Sequence, residues 1–255
     1  MEKERLQKVL AAAGIDSRRK CEELILMGAV TVNRRVVEKL PAFVDPENDI
    51  ISVNGRRLQP PRTVYYLLNK PKGVICTNSD PQGRKRAIDI VKSDERIFCV
   101  GRLDIDTSGL IILTNDNELT NRLTHPKYEL AKTYVALVKG HVTGEQVEKL
   151  KKGVWLAEGK TGKSALKILY RSHGESALEI TITQGLNRQI RRMLAKVGLL
   201  VKTLKGTRIG KLNDKELGIG KFRPLTKLEV QYLKKVTSTE RKQEKIIAKN
   251  NRPTA

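Results

Sequence analysis

The chain has 255 residues with 39% hydrophobic content, enough for one sizeable core and a small satellite domain. No apolar run reaches the about 18 residues that a membrane span needs, and the start MEKERLQKVLAAAGI lacks a secretory signal's continuous apolar stretch and cleavage site, so a cytoplasmic protein is expected. Fifty Lys and Arg against 28 Asp and Glu give a formal charge of +22, which favours a polyanionic partner such as RNA, DNA or an anionic membrane surface.

In chain order, Leu6, Val9, Leu10 and Ala13 recur at helical spacing until Gly14. A second helix starts at Ser17 as cap, buries Cys21, Leu24 and Ile25, and closes at Gly28. AVTVNRRVVEKL reads as two strands around Asn33, Arg34 and Arg35, and DIISVNGRRL as a third strand ending in a turn at Asn54-Gly55. Residues 1–60 therefore form a small αα-β module. Its charges nearly cancel, with 11 basic and nine acidic residues. Yet Ser17, Arg18, Arg19 and Lys20 at a helix N-terminus and Arg34 and Arg35 at a turn are placed to form one phosphate-binding face. Solubility alone also puts charged residues at a capped helix start. The stretch RLQKVLAAAGIDSRRKCEELILMGAVTVNRRVV resembles the small RNA-binding domain first described in a ribosomal small-subunit protein, which implies that this face docks RNA.

Gln59-Pro60-Pro61-Arg62 interrupts both periodicities and reads as a linker. From Tyr65 the chain alternates strands (VYYLLN, GVICT, IFCV, GLIILT, LAKTYVALV, VWL, LKILY, ALEITIT) with helical stretches near 116–124, 143–152, 187–198 and 226–235. Closely spaced strands predict an α+β second domain over 61–236, a mixed, largely antiparallel sheet with flanking helices. Residues 237–255 read as a basic, flexible tail. Residues 184–235 carry 14 basic and three acidic residues, a bias that points to nucleic acid rather than to a solvated face or a membrane. The cysteines at 21, 76 and 99 and histidines at 125, 141 and 173 are too scattered for a disulfide framework or a zinc cluster and read as reduced core thiols and surface imidazoles.

Two local patterns invite chemistry. Gly162-Lys163-Ser164 mimics the end of a phosphate loop, but Ala157 stands where that motif needs glycine and a strand follows where it needs a helix, so a lysine-rich hairpin is expected. Asp104 and Asp106, in GRLDIDTSG before the apolar run Leu110 to Leu113, form an Asp-x-Asp pair. Residues at i and i+2 of an extended loop face opposite sides, which disfavours a shared metal ion. A plain turn, with Asp104 bonded near Thr107 and Ser108, explains the same residues.

GRLDIDTSGLIILTNDNELTNRLTHP, AKTYVALVKG and QGLNRQIRRMLAKVG resemble, in order and spacing, the catalytic motifs of pseudouridine synthases, in the branch that modifies ribosomal RNA. NKPKGVICTNSDPQGRKRAIDIV is most similar to the B type among the large-subunit enzymes of that branch. The resemblance spans residues 3–235 and implies Asp104 as the catalytic aspartate, Tyr134 as the catalytic tyrosine, and Arg191 as the arginine paired with Asp104. Without the resemblance, Tyr134 reads as a core strand residue. Leu204 falls where the family sets an apolar residue against the uracil, whereas Gly206 departs from a position that is often basic. Arg188 and Arg192, one turn apart on a predicted helix, are expected to hold phosphates, and Arg102 to assist the flipped nucleotide's backbone. Lys202, Lys205 and Arg208 extend the RNA-binding surface.

Pseudouridylation breaks the bond between the sugar and nitrogen 1 of uracil, rotates the base and rejoins it through carbon 5, so it implies no cofactor and no metal. The expected enzyme is a monomer acting on ribosomal RNA or a pre-ribosomal particle. Its carboxylate attacks carbon 6 or the anomeric carbon, or abstracts a sugar proton; spacing does not choose among these. A catalytically silent assembly factor, or a metal-dependent nucleic-acid hydrolase, would present similar basic surfaces.

Overall fold

A computed structural model describes residues 3–238, so the tail expected over 237–255 lies, from residue 239 on, outside the described residues. The chain forms two compact units, one of residues up to 64 with 93–96 and 115–117, the other of residues 65–92, 97–114 and 118 onward.

In the first unit, helices α1 (Leu6–Ala12) and α2 (Arg18–Leu26) precede strands β1 (Val30–Val32), β2 (Arg35–Val36), β3 (Ile51–Val53) and β4 (Arg56–Arg57). The strands form one sheet in the order β2-β1-β3-β4. Ser17 caps α2 as its sequence suggests, its Oγ accepting the Lys20 N–H at 3.3 Å. The β1–β2 turn holds Asn33 and Arg34 at φ of 51° and 67°. Asn33 secures it by donating through Nδ2 to Asp49 and accepting the Ile50 N–H on Oδ1. Leu6, Leu10, Cys21, Ile25 and Val30 are fully buried. Around this core Arg18, Arg19, Arg34 and Arg35 are exposed, and no ion pair engages them among the described residues.

The second unit holds β5 (Tyr65–Lys70), β6 (Phe98–Cys99), β7 (Ser108–Thr114), α3 (Asn117–Thr124), β8 (Lys132–Lys139), α4 (Gly144–Lys152), β9 (Ala165–Arg171) and β10 (Glu175–Ile182). After these come α5 (Gln189–Lys196), β11 (Val201–Ile209), β12 (Leu212–Asn213), β13 (Phe222–Pro224) and α6 (Lys227–Val236). The sheet runs β9-β10-β8-β11-β7-β5-β13, with β6 beside β7 and β12 beside β11. All neighbours are antiparallel except β7 and β11. Every residue of β7 is buried, which the apolar run demands, and each large side chain in it is worth about 1.5–3 kcal/mol of burial.

Two apolar clusters flank this sheet. One packs Val147, Leu150, Ile190, Met193 and Leu194 of α4 and α5 against β8, β10 and β11; the other packs Leu119, Leu123 and Leu233 of α3 and α6 against β5 and β7. Where they meet, the parallel pair sets Gly109 opposite Gly206. A Cβ on Gly109, whose φ is +117°, would lie 2.1 Å from the Gly206 carbonyl oxygen, so this approach requires glycine.

Two strand expectations change. GVICT makes a single bridge, Ile75 to Arg86, instead of a strand, because Gly73 at φ +80° bends the chain just before it. The stretch VKTLKGTRI, read from sequence only as a motif, forms the nine-residue central strand β11.

Candidate active site

The loop 101–107 is anchored at three points. The Gly73 N–H donates to the Ile105 carbonyl at 2.8 Å, the Thr107 N–H to the Asp104 carbonyl at 3.0 Å, and the Leu103 N–H to Cys76 Sγ at 3.5 Å. The Thr107 bond closes the turn through the Asp104 backbone carbonyl and not through the aspartate side chain expected to hold it. Asp104 and Asp106 do not face opposite sides, because the chain between them is a turn and not an extended loop: Arg188 Nη1 lies 3.3 Å from both Asp104 Oδ2 and Asp106 Oδ1.

That contact also corrects the expected pairing. Arg188, not Arg191, meets Asp104; Arg191 Nη2 lies 3.1 Å from Asp106 Oδ2 and donates to the Asp106 carbonyl at 3.1 Å. The reason is local. Arg188 is not a helical residue but precedes α5 at φ 47°, so its side chain swings out over the loop while Arg191, within the first turn, tucks beneath it. Partial burial works to raise the Asp106 pKa, but the hydrogen bonds from Arg188 and the charges of both arginines outweigh it and hold the carboxyl below the usual range.

Asp104 lines a cleft of about 340 Å³ together with Arg102, Tyr134, Arg188 and Leu204, and with Lys132, Gln184 and Asn187. Arg191, Arg192 and Asp106 are absent from its wall. Leu204 is almost wholly buried and joins the apolar cluster under β11. Tyr134 is half-buried, in register with Gly206, where a Cβ would come only within ordinary contact of its ring at 3.5 Å. Burial, with a smaller contribution from the Asp104 charge, pushes the Tyr134 hydroxyl up to about 12, so it stays protonated at neutral pH.

Arg192, Lys202, Lys205 and Arg208 lie off the wall of this cleft, although Arg208 lines a small adjoining pocket together with Arg102, Lys132 and Tyr134. Arg192 forms a two-pronged pair with Glu158 at 2.7 and 2.9 Å, whereas Arg188 lines the cleft. Lys202 pairs with Glu175 at 2.8 Å, Lys205 with Asp214 at 2.5 Å and Arg208 with Glu179 at 3.0 Å. The basic bias of 184–235 is therefore partly neutralised by acidic residues outside or thinly spread within it.

Sequence reasoning missed Lys132, Gln184 and Asn187. Lys132 lies two residues before Tyr134 on β8, and the two-residue strand period sets both on one face. Burial lowers its pKa. After Gly162-Lys163-Ser164 a strand follows, as expected, and Ser164 Oγ donates to the Leu150 carbonyl at 2.8 Å.

Residues 64–196 match the RNA pseudouridylate synthase family and residues 4–51 the S4 domain. The chain belongs to the RNA pseudouridine synthases. This synthase is 47% identical over 234 residues to the ribosomal large subunit pseudouridine synthase B of Bacillus subtilis, covering 91% of this chain and 96% of that one. It is 36% identical to the protein of the same name from Pseudomonas aeruginosa, covering 99% and 72%. A solved pseudouridylate synthase crystal structure superposes with a TM-score of 0.66 at 29% identity, covering 90% of the synthase chain and 99% of the other. No helix among its described residues is long and apolar enough to cross a membrane.

Proposed function

We propose that this synthase converts a uridine of ribosomal RNA, in the large subunit, to pseudouridine, with Asp104 as the reacting carboxylate. The observation that carries the reading is the cleft itself: a carboxylate ion-paired to Arg188, beside an aromatic ring and an apolar side chain, in a space within the roughly 300–1,000 Å³ typical of ligand sites. A uridine flipped out of its stack fits such a space. Flipping costs a few kcal/mol, and stacking on a ring such as that of Tyr134 returns about 1–3 kcal/mol. Leu204 closes the opposite side of the base.

Asp104 is the group that adds to the base or the sugar or removes a sugar proton, with the Arg188 guanidinium 3.3 Å from its carboxylate. Loss of the proton from carbon 5 completes the isomerisation, and Tyr134, holding its own proton, acts as a platform and not as the resting base. Residues 1–60 dock the RNA through Ser17, Arg18, Arg19, Lys20, Arg34 and Arg35, residues 61–236 carry the reaction, and the enzyme works as a cytoplasmic monomer on ribosomal RNA or its precursor particle. The large-subunit assignment draws on the names of the relatives.

The test is release of tritium from [5-³H]uridine-labelled ribosomal RNA, run separately on large- and small-subunit transcripts and precursor particles. Release from large-subunit RNA supports the reading. Binding without release from any of them would make the protein a silent assembly factor.

A further inference from the structure

Asp106 has no role in the chemistry described above, yet it meets both arginines where Asp104 meets one. Its Oδ1 and Oδ2 lie 3.3 Å from Nη1 and Nη2 of Arg188, and its Oδ2 and carbonyl oxygen lie 3.1 Å from Nη2 of Arg191. Arg191 is the deeper cation, its side chain 14% exposed. Its Nε is buried without an acceptor. Asp106 is therefore the carboxylate that balances Arg191, and the two aspartates and two arginines form a neutral quartet in which Arg188 is shared.

Without the Asp106 charge the balance changes in a definite way. Arg188 keeps one carboxylate, and a guanidinium facing a single carboxylate prefers the two-pronged geometry that engages both oxygens. That geometry would close over Asp104. Resting on the proposed role of Asp104, we propose that Asp106 is a positioning residue for the isomerisation: it draws Arg188 and Arg191 to itself, so that Asp104 faces the cleft ion-paired on one side and open to the nucleotide on the other.

The consequence separates turnover from binding. Asp106→Asn leaves the quartet one unit more positive, which favours RNA. Its KM for RNA should stay level or fall while kcat drops about 10–100-fold, the loss expected when a charged hydrogen-bond arrangement is broken. Asp106→Glu, which restores the charge, should recover most of that loss. Steady-state tritium release from [5-³H]uridine RNA reads both constants, and Asp106→Ser gives the same split should the asparagine variant not fold. Unchanged kcat in Asp106→Asn overturns the positioning role. So does a parallel worsening of kcat and KM that glutamate fails to rescue, which would mark a merely structural residue. Asp104→Ala, assayed alongside, keeps the two claims apart: if it retains turnover, the reading of Asp104 fails whatever Asp106 does.

Discussion

Replacing Gly109 with alanine tests whether the backbone approach of β7 to β11 supports the site. The added Cβ would meet Gly206 O at 2.1 Å and Gly206 N at 2.4 Å, and no rotamer change relieves an overlap with backbone. The +117° φ adds strain of its own. Conformational strain of about 1–3 kcal/mol plus an overpacking cost of about 1–3 kcal/mol gives a loss of roughly 2–6 kcal/mol, centred on about 4 kcal/mol. At about 2–4 °C per kcal/mol for a unit of this size, the melting temperature should fall by about 10 °C. Because the loop bearing Asp104 feeds directly into β7, tritium release should fall further than the unfolded fraction explains. Gly206→Ala is the control: its Cβ meets the Tyr134 ring at 3.5 Å, an ordinary contact, and should cost less than about 1 kcal/mol. A Gly109→Ala protein that melts within about 2 °C of wild type would show that the close approach of β7 to β11 tolerates a side chain.

Other expectations follow from the same geometry. Arg188→Met, which removes the cation 3.3 Å from Asp104, should lower kcat by about 10–100-fold, the value of a charge-assisted hydrogen bond; activity near wild type would show that this cation is dispensable. Tyr134→Phe should keep kcat within about tenfold because the hydroxyl is no resting base, whereas Tyr134→Ala should lose the about 1–3 kcal/mol of stacking; equal losses in single-turnover assays would contradict this. Among the cysteines, a hydrogen bond from Cys99, against the opposing effect of burial, lowers the Cys76 thiol to about 7. Burial raises that of Cys21. A lowered thiol pKa means more thiolate at neutral pH, so iodoacetamide should label Cys76 first, with a rate that rises through pH 7. Mass mapping that finds Cys21 labelled first would overturn the assignment.

Much of this was legible in the sequence for reasons that can be stated. Leu6, Leu10, Cys21 and Ile25 carry the i, i+4 spacing of buried helix faces, and Leu110 to Leu113 form a short apolar run, rich in β-branched residues and preceded by glycine, that suits a buried strand. The strand β11 was harder. VKTLKGTRI mixes three cations with a glycine, and only Leu204 and Gly206 of its nine residues are buried, so no apolar alternation marks a strand. The arginine assignment failed at a single backbone angle. Periodicity treats 188, 191 and 192 as neighbours on one helix, whereas the left-handed φ of Arg188 puts it outside the helix and onto the loop. The partners of Arg192, Lys202, Lys205 and Arg208 were invisible to composition, because each is an acidic residue brought in by tertiary contact.

Whether Asp104 is the reacting carboxylate is decided by single-turnover tritium release by Asp104→Asn on large-subunit ribosomal RNA, with RNA binding measured on the same preparation. The substitution keeps the size of the side chain and removes its charge. Binding close to wild type with no detectable release is the expected result. Release at a rate comparable to the wild-type enzyme would contradict the account, since no other carboxylate lines the cleft among the described residues.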